Sequence, residues 1–138
     1  MKQIMEKWNM YVKGQEAIAK GVLIRGAKIL ILRRADKFVK RTSPWEWDLP
    51  GGHIELPETP GEALSREAME EVNLDLGALT EVHTGSRTTF FYCTEWTGNI
   101  RLSHEHQDYR WISPDDIGDY YIGRDYRKAI KKAVRQIS

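Results

Sequence analysis

The chain has 138 residues, 41% of them hydrophobic and 30% charged, which is enough apolar surface to close one core and too little chain for several. Its 21 basic and 20 acidic residues leave a net charge of +1, so there is no bulk attraction to nucleic acid or to a membrane, and any recognition of phosphate must be local. The lone Cys93 cannot pair within the chain, no apolar run is long enough to span a bilayer and the N-terminus carries no signal-peptide region, so the expected location is the cytoplasm.

Residues 1–14 carry Lys2, Lys7 and Lys13 among apolar residues and read as an edge strand or an arm. Ala17 to Arg25 and Lys28 to Arg33 are rich in Ile, Leu and Val, and Gly26-Ala27 between them marks a hairpin. Ile29-Leu30-Ile31-Leu32 is apolar without alternation, as expected of a strand covered on both faces. Ala35 to Pro44 is polar and basic and reads as a loop. Trp45 to Leu49 then leads to a break at Pro50-Gly51-Gly52.

The clearest helix start follows. Thr59 suits an N-cap, Pro60 the first helical position, and Glu62 completes a capping box. The helix is expected from Pro60 to about Val72, with Leu64, Ala68 and Val72 facing the core and Asn73 ending it. Leu76 to His83 and Arg87 to Trp96 read as strands, the second with Phe90, Phe91, Tyr92 and Trp96 mostly in the core and Cys93 an inert core residue. Gly98-Asn99 reads as a hairpin turn into Ile100 to Leu102. Tyr109 to Ile112 is expected as a short strand stopped by Ser113-Pro114. Tyr126, Ile130, Ala133, Val134 and Ile137 recur at helical spacing and predict a closing helix. These elements interleave in one domain over residues 1–138, so the fold class is α/β or α+β around a mixed sheet.

The helix from Pro60 has a second face. At about 100° per residue, Glu67, Glu70 and Glu71 fall within an arc of roughly 100°. Like charges at this spacing cost helix stability, and Arg66 is expected to neutralise only one of them. A divalent cation with a taste for hard oxygen, Mg²⁺ or Mn²⁺, relieves the repulsion. A solvated acidic face is the alternative for the cluster alone. His53, His83, His104 and His106 lack zinc-site spacing with Cys93.

Gly52 is followed by five residues and Glu58, then seven residues, Arg66-Glu67, Ala68, Met69, Glu70-Glu71 and, after two more, Leu74. The stretch GGHIELPETPGEALSREAMEEVNL resembles the Nudix hydrolase box, with Asn73 where the family has Gly and Pro57 where it usually has another Gly. Trp47-Asp48-Leu49-Pro50-Gly51-Gly52 is like the family's approach to that box. Leu32-Arg33-Arg34-Ala35-Asp36 resembles the preceding segment of MutT-like members. Glu105, six residues before Trp111, resembles a late Glu of some members' metal site. The resemblance covers about residues 17–117.

It implies a Nudix-type α/β/α sandwich with the mixed sheet between helices. It also implies Mg²⁺- or Mn²⁺-dependent hydrolysis of a small nucleotide, a nucleoside diphosphate linked to another group. A (d)NTP cleaved to monophosphate and pyrophosphate is the first expectation. ADP-ribose, a nucleotide sugar or a dinucleoside polyphosphate is the alternative, and a non-catalytic nucleotide-binding module the second. No Pro lies between Asn73 and Ser113, which counts against ADP-ribose, and Tyr120 to Asp125 lacks the Asn of the purine-reading members. By the same resemblance Glu70 and Glu71 are central metal ligands, Glu67 ligates metal or deprotonates the attacking water, and the backbone carbonyl near Gly51 is a further ligand. Glu105 is a base or extra ligand. Arg66 and Glu58 pair to lock the loop beside Gly52 onto the helix. Arg33 and Arg34 are the expected phosphate contacts, since guanidinium binds phosphate with two parallel bonds. A homodimer is in keeping with the family.

Overall fold

The structure, a computed structural model, describes residues 17–35 and 46–137; the expected N-terminal arm and nearly all of the Ala35 to Pro44 loop lie outside them. Its elements in chain order are β1 (Ile18–Arg25), β2 (Lys28–Arg34), β3 (Trp47–Asp48), β4 (Gly51–His53), helix α1 (Pro60–Val72), β5 (Asp75–Leu76), β6 (Thr80–Thr84), β7 (Thr88–Cys93), β8 (Trp96–Thr97), β9 (His106–Ile112), a 3₁₀ helix (Pro114–Asp119) and α2 (Arg124–Ile137). Seven strands form one mixed sheet. Its spine runs β3-β2-β1-β7-β6, with β4 paired to β1 and β9 to β2, while β5 and β8 pair separately. β1 and β7 run parallel; β1 and β2 close antiparallel around Gly26.

The period-two alternation of β1 and β2 builds the layers. Val22, Ile24, Ile29 and Ile31 face one side and pack with Ile117, Ile122 and the Ala129, Ile130 and Ala133 stripe of α2. Leu23, Leu30 and Leu32 face the other and pack with Ala68 and Val72 of α1. Both faces of β2 are therefore covered, which is why its apolar run does not alternate with polar residues. The result is the expected α/β/α sandwich.

Helix α1 has the expected ends. Glu62 N–H donates to Thr59 Oγ1 at 3.2 Å and Thr59 N–H donates back to Glu62 Oε1 at 2.9 Å. Asn73 closes the helix in the left-handed region, at φ 62° and ψ 35°.

Three expectations are corrected. Gly51-Gly52 does not simply break the chain: it opens β4, pairing with Ala19 and Lys20. Leu76 to His83 is not one strand but the end of β5 and most of β6, and Trp96 leaves the preceding strand to pair with Leu76. Ile100 to Leu102 forms no strand. Arg101 N–H instead donates to Val72 O at 3.0 Å and Ser103 N–H to Glu71 O at 2.9 Å. The segment satisfies carbonyls at the end of α1 that have no partner inside the helix.

Candidate metal and nucleotide site

One cleft opens where the N-terminal half of β1, the β3–β4 turn, α1 and the start of β9 meet. Its wall includes Gly51, Gly52, Glu67 and Glu71 together with Glu105 and Arg34. An adjoining compartment shares Arg34 and Asp48 and reaches Arg87 and residues 123–126 at the head of α2.

The β3–β4 turn is built by close approach. Gly51 has φ +131°, and a Cβ there would lie 2.0 Å from the Ala19 carbonyl. Only glycine allows that path. A Cβ on Gly52 would meet the Glu67 carboxyl carbon at 2.7 Å. The second glycine thus leaves the space that the Glu67 head group fills.

Glu71 is 5% exposed, and its Oε1 accepts from Gly51 N–H at 2.7 Å. Burial pushes its carboxyl pKa up to about 8, against the pull of the Lys20 ammonium and the Gly51 N–H. Burial also raises Glu67, opposed by Arg66. Buried anionic oxygen without full compensation is what a divalent cation satisfies.

Arg66 does more than expected. It forks onto Glu58, with Nε donating to Oε2 at 2.6 Å and Nη2 to Oε1 at 3.1 Å. Nη1 also reaches Glu67 at 3.0 Å and Glu70 at 3.4 Å, and Nη2 the His53 carbonyl at 3.1 Å. Its single positive charge still offsets only one of them, as expected, but it is shared among Glu58, Glu67 and Glu70, with Glu55 further off at 3.9 Å. The bond from Arg66 holds Glu58 below the usual carboxylate range.

Glu70 is the exposed member of the trio, its side chain 59% accessible, and it faces Arg66 rather than the cleft wall that Glu67 and Glu71 share. Among the described residues no three acidic, His or Cys side chains form a ready-made ion cage. Arg33 is also drawn elsewhere: its Nε donates to Glu46 Oε1 at 2.6 Å, in a solvent-facing pair. The register of β2 against β9 shifts between Arg33 and Arg34, and only Arg34 lines the cleft.

Four polar wall residues were not singled out from the sequence: Lys20, Asp48, Arg87 and Tyr126 line the cleft. Lys20 Nζ donates to Asp48 Oδ2, the Leu49 carbonyl and the Gly51 carbonyl. A lysine inside an otherwise apolar strand was the available signal. His106, weighed as a loop histidine, is the first residue of β9 and buried, with Nε2 3.9 Å from Glu71 Oε2 and Nδ1 without a partner. Burial lowers its pKa, so the ring is neutral and one nitrogen can accept.

The donor set fits a hard cation. Asp48, Glu67, Glu71 and Glu105 supply carboxylate oxygens and Gly51 a carbonyl, while no thiol lines the cleft.

The NUDIX domain family model matches residues 16–133. A MutT-like protein of Streptomyces ambofaciens is 33% identical over 72% of this chain, and the chain spans 64% of that relative's length. The asymmetrical bis(5'-nucleosyl)-tetraphosphatase of Caenorhabditis elegans is 32% identical over 56% of the chain and 67% of its own. The nucleoside triphosphatase NudI of Escherichia coli is 29% identical, over 64% and 76%. Among solved structures, the MutT NUDIX hydrolase of Burkholderia pseudomallei superposes with a TM-score of 0.70 at 20% identity, over 84% of this chain and 95% of that one, a likeness of fold. With the box, the sandwich and the cleft in place, the chain belongs to the Nudix family.

Proposed function

We propose that the chain is a Mg²⁺- or Mn²⁺-dependent pyrophosphohydrolase that cleaves a nucleoside triphosphate to the monophosphate and pyrophosphate. The observation that carries this reading is one cleft with Glu67, Glu71, Glu105 and the Gly51 carbonyl in its wall and with Arg34 and Arg87 beside them. Hard oxygens suit a cation, and guanidinium groups suit the phosphates the cation would share. A bound ion supplies polarisation of a phosphoryl oxygen and activation of water.

The chain's own residues divide the remaining work. Glu71, anchored by Gly51 N–H, and Glu67, seated over Gly52 and steadied by Arg66, would hold the ion. Glu67 or Glu105 accepts the proton of the attacking water at a carboxylate oxygen. For Glu67, burial that raises its affinity for a proton suits that role. Arg66 and Glu58 keep the loop docked on α1. Arg34 and Arg87 bind phosphate, and the compartment at the head of α2 receives the nucleoside. The same reading makes residues 1–138 one domain acting in the cytoplasm, with a homodimer as the assembly.

The name of the Escherichia coli relative supports a triphosphate substrate. The C. elegans relative favours a second reading, asymmetrical cleavage of a dinucleoside polyphosphate. A panel of canonical and oxidised (d)NTPs, a dinucleoside tetraphosphate and ADP-ribose, with Mg²⁺ or Mn²⁺ and products read by phosphorus NMR, separates them. Pyrophosphate from at least one (d)NTP, lost in Glu71→Gln, is the expected result. Nucleotide binding by calorimetry with no turnover of any substrate would make the chain a binding module instead.

A further inference from the structure

Lys20 is out of character for its strand. Its neighbours Ala19, Val22 and Leu23 are wholly buried, and Lys20 itself is 6% exposed. Lysine reaches such depth only when its ammonium is paired. Here Nζ donates to Asp48 Oδ2 at 3.1 Å, the Leu49 carbonyl at 3.1 Å and the Gly51 carbonyl at 3.0 Å. An ammonium has three donors, and all three meet oxygens supplied within one four-residue turn. One carboxylate and two backbone carbonyls around a single positive charge is also the donor set that a hard metal ion accepts. Lys20 stands in the same wall as Glu67 and Glu71.

We propose that Lys20 is a built-in cation, whose ammonium permanently takes a position on Asp48 and the Gly51 carbonyl that a divalent ion would otherwise occupy, and so limits how many ions the cleft holds. The inference rests on the cleft being a cation site. It gives the lysine two tasks. It uses one lone pair of the Gly51 carbonyl and of the Asp48 carboxylate, and so fixes both groups with their remaining lone pairs left for an ion in the other position. It also offsets one of the four carboxylates of the cleft wall at no entropic expense to ion or substrate. The charge is well supported by geometry: the ion pair with Asp48 and the two backbone carbonyls meet all three ammonium donors. Lys20 acts through Asp48 and Gly51 and is a positioning residue.

Lys20→Met keeps an unbranched side chain and removes the charge. Two measurements need no substrate: Mn²⁺ bound per chain, counted by electron paramagnetic resonance, and thermal denaturation in EDTA and in excess Mg²⁺. The variant is expected to bind one Mn²⁺ more than the parent chain. In EDTA it should melt several degrees lower, because Asp48 loses its partner, and Mg²⁺ should restore most of that loss. A merely structural lysine would cost the same melting temperature in both solutions and leave the Mn²⁺ count unchanged, and either outcome overturns the proposal. So does a variant that folds in neither solution, since an ion should replace the ammonium. A parent chain inactive on every nucleotide, with the Mn²⁺ difference intact, sinks the proposed activity and not this inference. An active parent chain with no difference does the reverse.

Discussion

Gly51 and Gly52 are adjacent in sequence yet would fail differently. A methyl on Gly51 would run into the Ala19 carbonyl, backbone against backbone, at an angle φ of +131°. Neither side can yield, so Gly51→Ala should destabilise the chain by about 3 kcal/mol or more in urea denaturation. The nearest atoms a methyl on Gly52 would meet all belong to the Glu67 head group. That group can swing away, so Gly52→Ala should fold with nearly parental stability. Its turnover should fall by about a hundredfold or more, as expected when a metal ligand or base is displaced. Equal losses of stability in the two variants would refute the role given to the Gly52 cradle. A similar division separates the arginines. Arg66→Lys keeps the charge but loses the fork onto Glu58, because an ammonium cannot make two parallel bonds. Its turnover should drop well below the parent's, whereas Arg33→Lys, altering a solvent-facing pair with Glu46, should change turnover less than twofold (steady-state kinetics on the substrate found by the screen).

At the scale of elements, α1 shows what a sequence can declare about itself. Its cap, its first proline, its buried stripe and its left-handed end all lie within fifteen residues of one another, and each is a local rule. The box carboxylates could be placed on that helix for the same reason. What was not legible depends on distant partners. Residues 100–102 follow a turn and look ready to pair, but the N–H groups of Arg101 and of Ser103 just beyond go to the end of α1, about thirty residues earlier. The short strands β5 and β8 pair only with each other, and nothing local separates them from the longer strands beside them. Lys20 finds its acceptors 28 to 31 residues away. Glu70 and Arg33 could be grouped with their neighbours by spacing, but spacing does not report which way a side chain turns once Arg66 and Glu46 compete for it. Asn73 offers an element-scale test. Its φ of 62° suits Gly or Asn, and its side chain also donates to the Asn99 carbonyl at 3.1 Å. Asn73→Ala should cost about 1 kcal/mol, read as a shift of the urea midpoint with an unchanged slope. Asn73→Gly trades the lost bond for a relaxed backbone and should cost less.

For the whole molecule, the cleft ties stability to pH and to ions. Glu71 has a folded pKa near 8 against about 4.5 for the unfolded chain, the cause being burial in a site with too little positive charge. A carboxyl raised in this way binds more protons in the folded state than in the unfolded one between those two values. Stability must then fall as pH rises through that window. The contribution is complete below about pH 4.5 and gone above about pH 8, and a shift of this size corresponds to a few kcal/mol. The metal-free chain should therefore melt progressively lower from pH 5 to pH 8, unlike a protein whose carboxylates are held ionised by salt bridges. An ion that binds the ionised carboxylate reverses the penalty, because it binds only the folded state and binds it better once the proton is gone. Melting curves in EDTA and in Mg²⁺ across pH 5 to 8 should diverge steadily, with the largest gain from Mg²⁺ at the alkaline end. Glu71→Gln, which cannot ionise, should flatten the EDTA curve and abolish most of the divergence. Parallel curves in the parent chain would mean that Glu71 is neither buried without its counter-charge nor part of an ion site.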